Sequence, residues 1–195
     1  GDWSSDVCSS DLEQVHGFFS MPVDHLTAIP IVAAHVAETC DMANSVVVAT
    51  DAGGAKRAGK FASQLELPLA IIDKRRISDT EVRQGSVVGD VDGKDCIVFE
   101  DEISTGGTLV ETARTLKSAG AGRVIAGATH GVLVGESVER LEAAPIESLI
   151  VTNTVHVPDA KRIDKLTVLS IASLMAQAIR RIHTGESIGE LFSPR

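Results

Sequence analysis

An aliphatic run, Cys96-Ile97-Val98-Phe99, passes into an acidic triplet, Glu100-Asp101-Glu102, and then into Ser104-Thr105-Gly106-Gly107-Thr108. A helical pattern follows from Leu109 to Ala119, and Gly120-Ala121-Gly122 stops it. This succession of apolar strand, glycine-bearing loop and helix limits the possible folds more than any other feature, because it recurs along the chain. The pattern predicts a helix over Thr27 to Cys40, a strand over Ser45 to Ala49, the loop Asp51-Ala52-Gly53-Gly54 and a helix over Ala55 to Leu65. Next come a strand at Leu69 to Ile72, a charged stretch from Asp73 to Gln84, a short strand at Ser86 to Gly89 and a hairpin-type turn at Asp92-Gly93. The strand at Asp95 to Phe99 leads into the loop already described. Beyond it lie strands at Arg123 to Ala128, Ser148 to Val151 and Leu166 to Leu169, with helices at Glu136 to Glu142 and Ile171 to His183. Strands alternating with helices predict an α/β fold with a doubly wound, mostly parallel sheet. Ligands of such sheets bind beyond the carboxyl ends of the strands, where the three candidate loops fall.

Composition narrows the function classes. The 195 residues suffice for one α/β domain with a real core. With 44% hydrophobic and only 3% aromatic residues, that core is aliphatic, as in parallel sheets covered by helices. The net charge of −9 argues against a nucleic-acid partner or an anionic membrane surface. It also means that an anionic ligand needs local Lys or Arg and a divalent cation. Cys8, Cys40 and Cys96 are too widely spaced for a metal site or a disulfide framework, which points to a reducing cytoplasm. No apolar run approaches a membrane span. The segment from Gly1 to Leu12 holds the single Trp, is rich in serine and has neither helical nor strand period. It reads as a non-native, adapter-derived tail and is set aside from the fold.

Three motifs carry the chemistry. In the Thr105-Gly106-Gly107-Thr108 run, glycines allow close backbone approach, and N–H groups at the helix start can cradle a phosphate. Glu100 and Asp101 can accept hydrogen bonds from a sugar diol or hold Mg²⁺. Together they offer seats for both ends of a ribose phosphate, although a plain strand–helix turn with a good cap is the bland alternative. Asp51-Ala52-Gly53-Gly54 precedes a helix bearing Lys56 and Arg57 and has the same two readings, an anion cradle or an Asp-capped turn. Asp73-Lys74-Arg75-Arg76 is either a solvated charged loop or a flap whose cations meet a polyphosphate. His130, at a strand end, reads as a structural hydrogen-bonder, and His16, His25, His35, His156 and His183 show no ligand spacing.

The acidic-TGGT run resembles the phosphoribosyl-binding loop of the type I phosphoribosyltransferase fold. The rest of the chain is similar to one branch of it, the ribose-phosphate pyrophosphokinases, or PRPP synthases. The resembling segments are Gly17-Phe18-Phe19 with Pro22-Val23-Asp24-His25-Leu26, Thr50 to Arg57, Ile71 to Arg76, Val88-Gly89-Asp90-Val91, Thr129 to Leu133 and Ala178 to His183. They run in family order and cover nearly everything from Glu13 to Phe192. DAGG-x-KR with DKRR is the specific part, since PRPP-consuming transferases share only TGGT.

The resemblance implies transfer of pyrophosphate from MgATP to ribose 5-phosphate, giving PRPP and AMP for nucleotide biosynthesis. It implies Lys74 and Arg76 as catalytic cations. Ribose 5-phosphate falls to Glu100, Asp101, Ser104, Thr105, Gly106, Gly107 and Thr108. Pyrophosphate and ATP fall to Asp51, Ala52, Gly53 and Gly54, with Asp51 a Mg²⁺ ligand. It further implies a cytoplasmic homo-oligomer, a hexamer when complete. Residues 13–30 correspond to the end of an N-terminal domain, and 31–195 to a phosphoribosyltransferase-like domain with its C-terminal helix. Ser104 stands where many members have a third Asp, and Asp11-Leu12-Glu13 where they have Asp-Leu-His. Because the family draws much of its adenine and regulatory site from the first domain or from neighbouring subunits, the resemblance implies that the fragment alone is inactive or nearly so, which AMP release by the purified chain would refute. A PRPP-using phosphoribosyltransferase and a non-catalytic regulatory homologue are the alternatives.

Overall fold

The computed structural model describes residues 20, 23–73 and 85–191. Its elements run α1 (Ile29–Thr39), β1 (Ser45–Ala49), α2 (Ala55–Leu65), β2 (Leu69–Asp73), β3 (Ser86–Val88), β4 (Asp95–Ile103), α3 (Gly107–Ser118), β5 (Val124–Gly131), α4 (Ser137–Glu142), β6 (Ser148–Thr152), β7 (Leu166–Leu169) and α5 (Ala172–Thr184). The strands form one seven-stranded sheet in the order β3-β2-β1-β4-β5-β6-β7. Every pairing is parallel except β2 with β3 at one edge. The expected doubly wound sheet is thus present. Ile29–Ile171 make up one compact unit, which holds the whole sheet, and α5 belongs to a second.

Side-chain alternation along the strands divides the core into two layers. Val46, Val48, Cys96, Val98, Val124 and Ala126 pack on one face with Val110, Ala113, Leu116 of α3 and Leu141 of α4. Val47, Ala49, Ile97, Phe99, Ile125 and Ile150 pack on the other with Val32 and Val36 of α1 and Ala58, Phe61, Ala62 of α2. Helix α2 shows the cause plainly. Its inward residues Ala58, Phe61 and Ala62 fall three and four apart, the spacing that gathers side chains on one helical face. Lys56 and Lys60 stay exposed. Glu66 then turns left-handed (φ 55°) and its N–H closes on the Ala62 and Ser63 carbonyls, ending the helix ahead of Pro68.

Three local expectations are corrected. Glu100-Asp101-Glu102 is not a loop: β4 runs on through Ile103, because Glu100 and Glu102 stay in register with Ala128 and His130 of β5. The turn at Asp92-Gly93 forms, with the Lys94 N–H donating to the Val91 carbonyl at 3.2 Å, but it makes no hairpin. It joins edge strand β3 to central strand β4, which are not neighbours. Strand β5 also continues past Ala128 to Gly131. No helix among the described residues is long and apolar enough to cross a membrane.

Candidate functional site

Parallel pairing delivers the carboxyl ends of β1 and β4 side by side. Val48 is opposite Val98, so two residues on, Thr50 arrives beside Glu100. The Thr50 hydroxyl donates to Glu100 Oε1 at 2.5 Å. From the first turn of α2, Arg57 reaches back over the strand ends. Its Nη1 donates to Glu100 Oε2 at 2.5 Å and its Nη2 to Asp101 Oδ2 at 2.9 Å. The remaining oxygen, Asp101 Oδ1, accepts the Glu102 N–H at 2.8 Å. Both acids are largely enclosed, with side chains 13% and 16% exposed. Burial pushes the Glu100 carboxyl above the ordinary carboxylate range, while the Thr50 hydrogen bond and the Arg57 charge pull it back down.

The phosphate-type loop follows at once. Gly106 caps α3 in a left-handed conformation (φ 73°), and no side chain caps the helix start. The first N–H groups of α3 are thus left for an anion. The loop rests on the segment after β5. Val132 and Leu133 N–H groups both donate to the Ile103 carbonyl at 3.0 Å, and the Val134 N–H donates to the Ser104 carbonyl at 3.0 Å. Arg140 Nη1 of α4 donates to the Thr105 carbonyl at 3.0 Å. Leu133 itself is left-handed (φ 50°), and Lys161 Nζ holds its carbonyl at 2.6 Å. The loop geometry is therefore braced by Val132, Leu133, Val134 and Arg140.

The β1–α2 loop differs in one respect from the anion cradle expected of it. Asp51 Oδ1 accepts the Gly54 N–H at 2.8 Å, so the carboxylate closes the turn itself. One N–H of the cradle is thereby spent internally, as in the Asp-capped turn. Among the described residues no group of three or more His, Cys, Asp or Glu side chains is placed to hold a metal ion. Asp51 can still serve as a single protein anchor for Mg²⁺, which commonly binds one or two carboxylates and completes its shell with waters and phosphates.

The structure thus brings Glu100, Asp101, Ser104, Thr105, Gly106, Gly107 and Thr108 into one strand-end and loop. Asp51, Ala52, Gly53 and Gly54 occupy the strand end next to it. Lys74 and Arg76 lie outside the described residues, directly after Asp73 at the end of β2. Sequence reasoning gave no role to Thr50 or Arg57, although both stand in or beside the DAGG-x-KR motif. Their function as partners of Glu100 emerges only from strand register. His130 makes a hydrogen bond: Nδ1 pairs with the Thr154 hydroxyl at 2.8 Å, and Thr154 in turn donates to the Thr129 carbonyl at 3.0 Å. Asn153 ties β6 to the chain just after β7, its Oδ1 accepting the Ile171 N–H at 2.9 Å.

Known proteins resemble this chain over most of its length. A family model described as the phosphoribosyl synthetase-associated domain matches residues 80–193. A ribose-phosphate pyrophosphokinase of Deinococcus radiodurans is 48% identical over 185 residues, covering 92% of this chain and 58% of the relative. One from Aquifex aeolicus is 47% identical over 180 residues, with the same 92% and 58% covered. The crystal structure of phosphoribosylpyrophosphate synthetase from Mycobacterium smegmatis superposes with a TM-score of 0.80 at 41% identity, covering 89% of this chain and 56% of that one. The chain therefore spans 58% of the length of each of the two curated relatives.

Proposed function

The chain belongs to the phosphoribosyl synthetase-associated domain family, and from that premise we propose that it supplies the ribose 5-phosphate site and much of the polyphosphate site of a ribose-phosphate pyrophosphokinase. One observation carries this reading. A charge-compensated acid pair at the end of β4 stands directly before an uncapped, glycine-led helix start. A diol and a phosphate separated by one pentose match those two seats.

In the proposed reaction the anomeric oxygen of ribose 5-phosphate bonds to the β-phosphorus of ATP, and the bond to the AMP oxygen breaks. The proton of the anomeric hydroxyl leaves to solvent. Glu100 and Asp101 hold the ribose hydroxyls, and Ser104 to Thr108 hold the 5-phosphate. Adjacent on β1, the Asp51–Gly54 loop borders the transferring pyrophosphate. Lys74 and Arg76 meet the charge that builds on the transferred and leaving groups. No covalent intermediate is required, since positioning and charge stabilisation account for such a transfer. Mg²⁺, anchored through Asp51, neutralises phosphate charge when bound. The proposal includes ATP as donor, a cytoplasmic setting and a homo-oligomeric complete enzyme.

Calorimetric titration of the chain with ribose 5-phosphate, with inorganic phosphate as a reference, tests the reading. Ribose 5-phosphate is expected to bind more tightly than phosphate, because it fills both seats. Equal affinity would remove the acid pair from the site. In an intact gene product, release of AMP that requires both MgATP and ribose 5-phosphate is expected. Release of pyrophosphate that depends on an added base would point to a phosphoribosyltransferase.

A further inference from the structure

Three consecutive carbonyls leaving β4 are held from one stretch of chain, the segment that runs from the end of β5 into α4. The Ile103 carbonyl accepts the Val132 and Leu133 N–H groups, the Ser104 carbonyl accepts the Val134 N–H, and the Thr105 carbonyl accepts Arg140 Nη1, each at 3.0 Å. The donors to Ile103 and Ser104 are main chain, which any residue at those positions supplies. The donor to Thr105 is a side chain, and its choice of partner is informative. Glu136 lies four residues before Arg140, the spacing at which an Arg on a helix commonly pairs with an acid. The guanidinium turns instead to the loop, where Nη1 would lie 4.0 Å from a Cβ built on Gly107, the first residue of α3. A trans peptide is planar, and its C=O and N–H point in opposite directions. The Thr105 carbonyl and the Gly106 N–H belong to one such peptide, so a carbonyl held by Arg140 aims the Gly106 N–H away from α4. The Ser104 carbonyl, held by Val134, turns the Thr105 N–H away in the same manner. Successive N–H groups turned to one side form an anion nest, and these two adjoin the uncapped start of α3.

We propose that Arg140 is a positioning residue for the phosphate: by holding the Thr105 carbonyl it orients the Thr105–Gly106 peptide so that the Gly106 N–H donates to the 5-phosphate. The proposal rests on the reading of Ser104–Thr108 as the phosphate seat. Such a hold is needed because Gly106 sits at φ 73° with no Cβ to restrict it, so the peptide before it turns easily. A charged donor fixes that carbonyl more firmly than a neutral one. Arg140 is exposed, and the core beneath the loop is built from other residues, Leu109, Val110 and Leu141 among them. Its removal therefore loosens the aim of one N–H and leaves the packing of the fold in place.

Arg140→Met keeps the aliphatic stem and removes the donor. It is compared with the unaltered chain by calorimetric titration with inorganic phosphate and with ribose 5-phosphate, by thermal unfolding, and by the amide NMR spectrum recorded as phosphate is added. In the unaltered chain phosphate is expected to move the Gly106 amide proton downfield, the signature of a bond to an anion. In Arg140→Met that displacement shrinks, and phosphate affinity falls by about tenfold, the scale of one charged hydrogen bond. Ribose 5-phosphate loses affinity by the same factor, since both ligands use this seat. A folded Arg140→Met that binds phosphate within about twofold of the unaltered chain, with the Gly106 displacement intact, overturns the assignment alone. A lowered unfolding temperature with affinity and displacement unchanged overturns it too, because Arg140 would then only support the fold. If Arg140→Met does not fold, Arg140→Gln decides by the same criteria. Should phosphate leave the Gly106 resonance of the unaltered chain unmoved, the phosphate reading of the loop itself fails and this assignment with it.

Discussion

At the scale of single residues, two positions set the expected chemistry. Gly106 holds φ at 73°, and a Cβ built there would lie 2.9 Å from Cγ of Leu141, a residue that is itself buried. Gly106→Ala therefore meets both backbone strain and a clash with a side chain that cannot retreat. It is expected to cost about 1–3 kcal/mol in urea unfolding and to weaken phosphate binding by at least about tenfold. Unchanged phosphate affinity would separate this loop from the anion. Lys74 lies outside the described residues, yet its place after Asp73 at the end of β2 fits the cation role. Lys74→Ala in a complete enzyme is expected to lower kcat on the order of 10²–10³-fold, the effect of removing one transition-state-stabilising group. A kcat within a factor of a few of the unaltered enzyme would sink that assignment.

The elements are held in place by contacts at the end of the sheet opposite the site. Asp95 opens β4, and Arg123 directly precedes β5. Arg123 Nε and Nη2 reach Asp95 Oδ2 at 2.9 and 2.6 Å, and the Arg123 N–H reaches Oδ1 at 3.2 Å. These bonds hold the Asp95 carboxyl below its ordinary value, with the Arg123 side-chain hydrogen bond as the leading cause. A carboxyl depressed in the folded state stabilises the fold fully above its unfolded value near 3.8 and loses that contribution as pH falls through the lower, folded value. Asp95→Asn is thus expected to lower stability at pH 7 by about 1–3 kcal/mol, as for a charged hydrogen bond lost at a mostly enclosed site. Denaturation curves of the variant and the unaltered chain should draw together as the pH is taken below about 4. A stability gap that persists undiminished down to a pH of about 2 would contradict the electrostatic account.

At the scale of the whole molecule, an aliphatic composition gives unusual weight to the aromatic contact found among the described residues. Phe61 of α2 and Phe99 of β4 stack with ring centroids 4.5 Å apart, and both are buried. They join the helix that carries Arg57 to the strand that carries Glu100 and Asp101. Phe61→Ala is expected to cost about 3–5 kcal/mol, the transfer loss plus the cavity left behind. Urea unfolding measures it, and a loss under about 1 kcal/mol would mean that the layer collapses to fill the space.

Much of this was legible in the chain because it depends on local order. Runs such as Ser45–Ala49 and Leu69–Ile72, and the i, i+3, i+4 pattern of Ala58, Phe61 and Ala62, predict their elements with boundaries displaced by no more than a residue or two. Glycine-bearing loops at strand ends likewise mark where a ligand site belongs. Local order could not say where an acidic strand stops. Glu100–Glu102 read as a loop because charged residues are poor strand formers alone, but pairing with β5 keeps them extended. Nor could it tell that Asp92-Gly93 joins strands that are not neighbours, since strand order is a property of the assembled sheet. The same reason hides Thr50 and Arg57 as partners of Glu100. They lie 50 and 43 positions away in the chain, and only the parallel register of β1 and β4, with α2 folded back over them, brings them within hydrogen-bond reach. Spacing and residue type act over a few neighbours, so the elements, the aliphatic core and the candidate loops could be read from the order of residues. Which charges compensate one another could not, because that depends on distances the chain acquires only once it has folded.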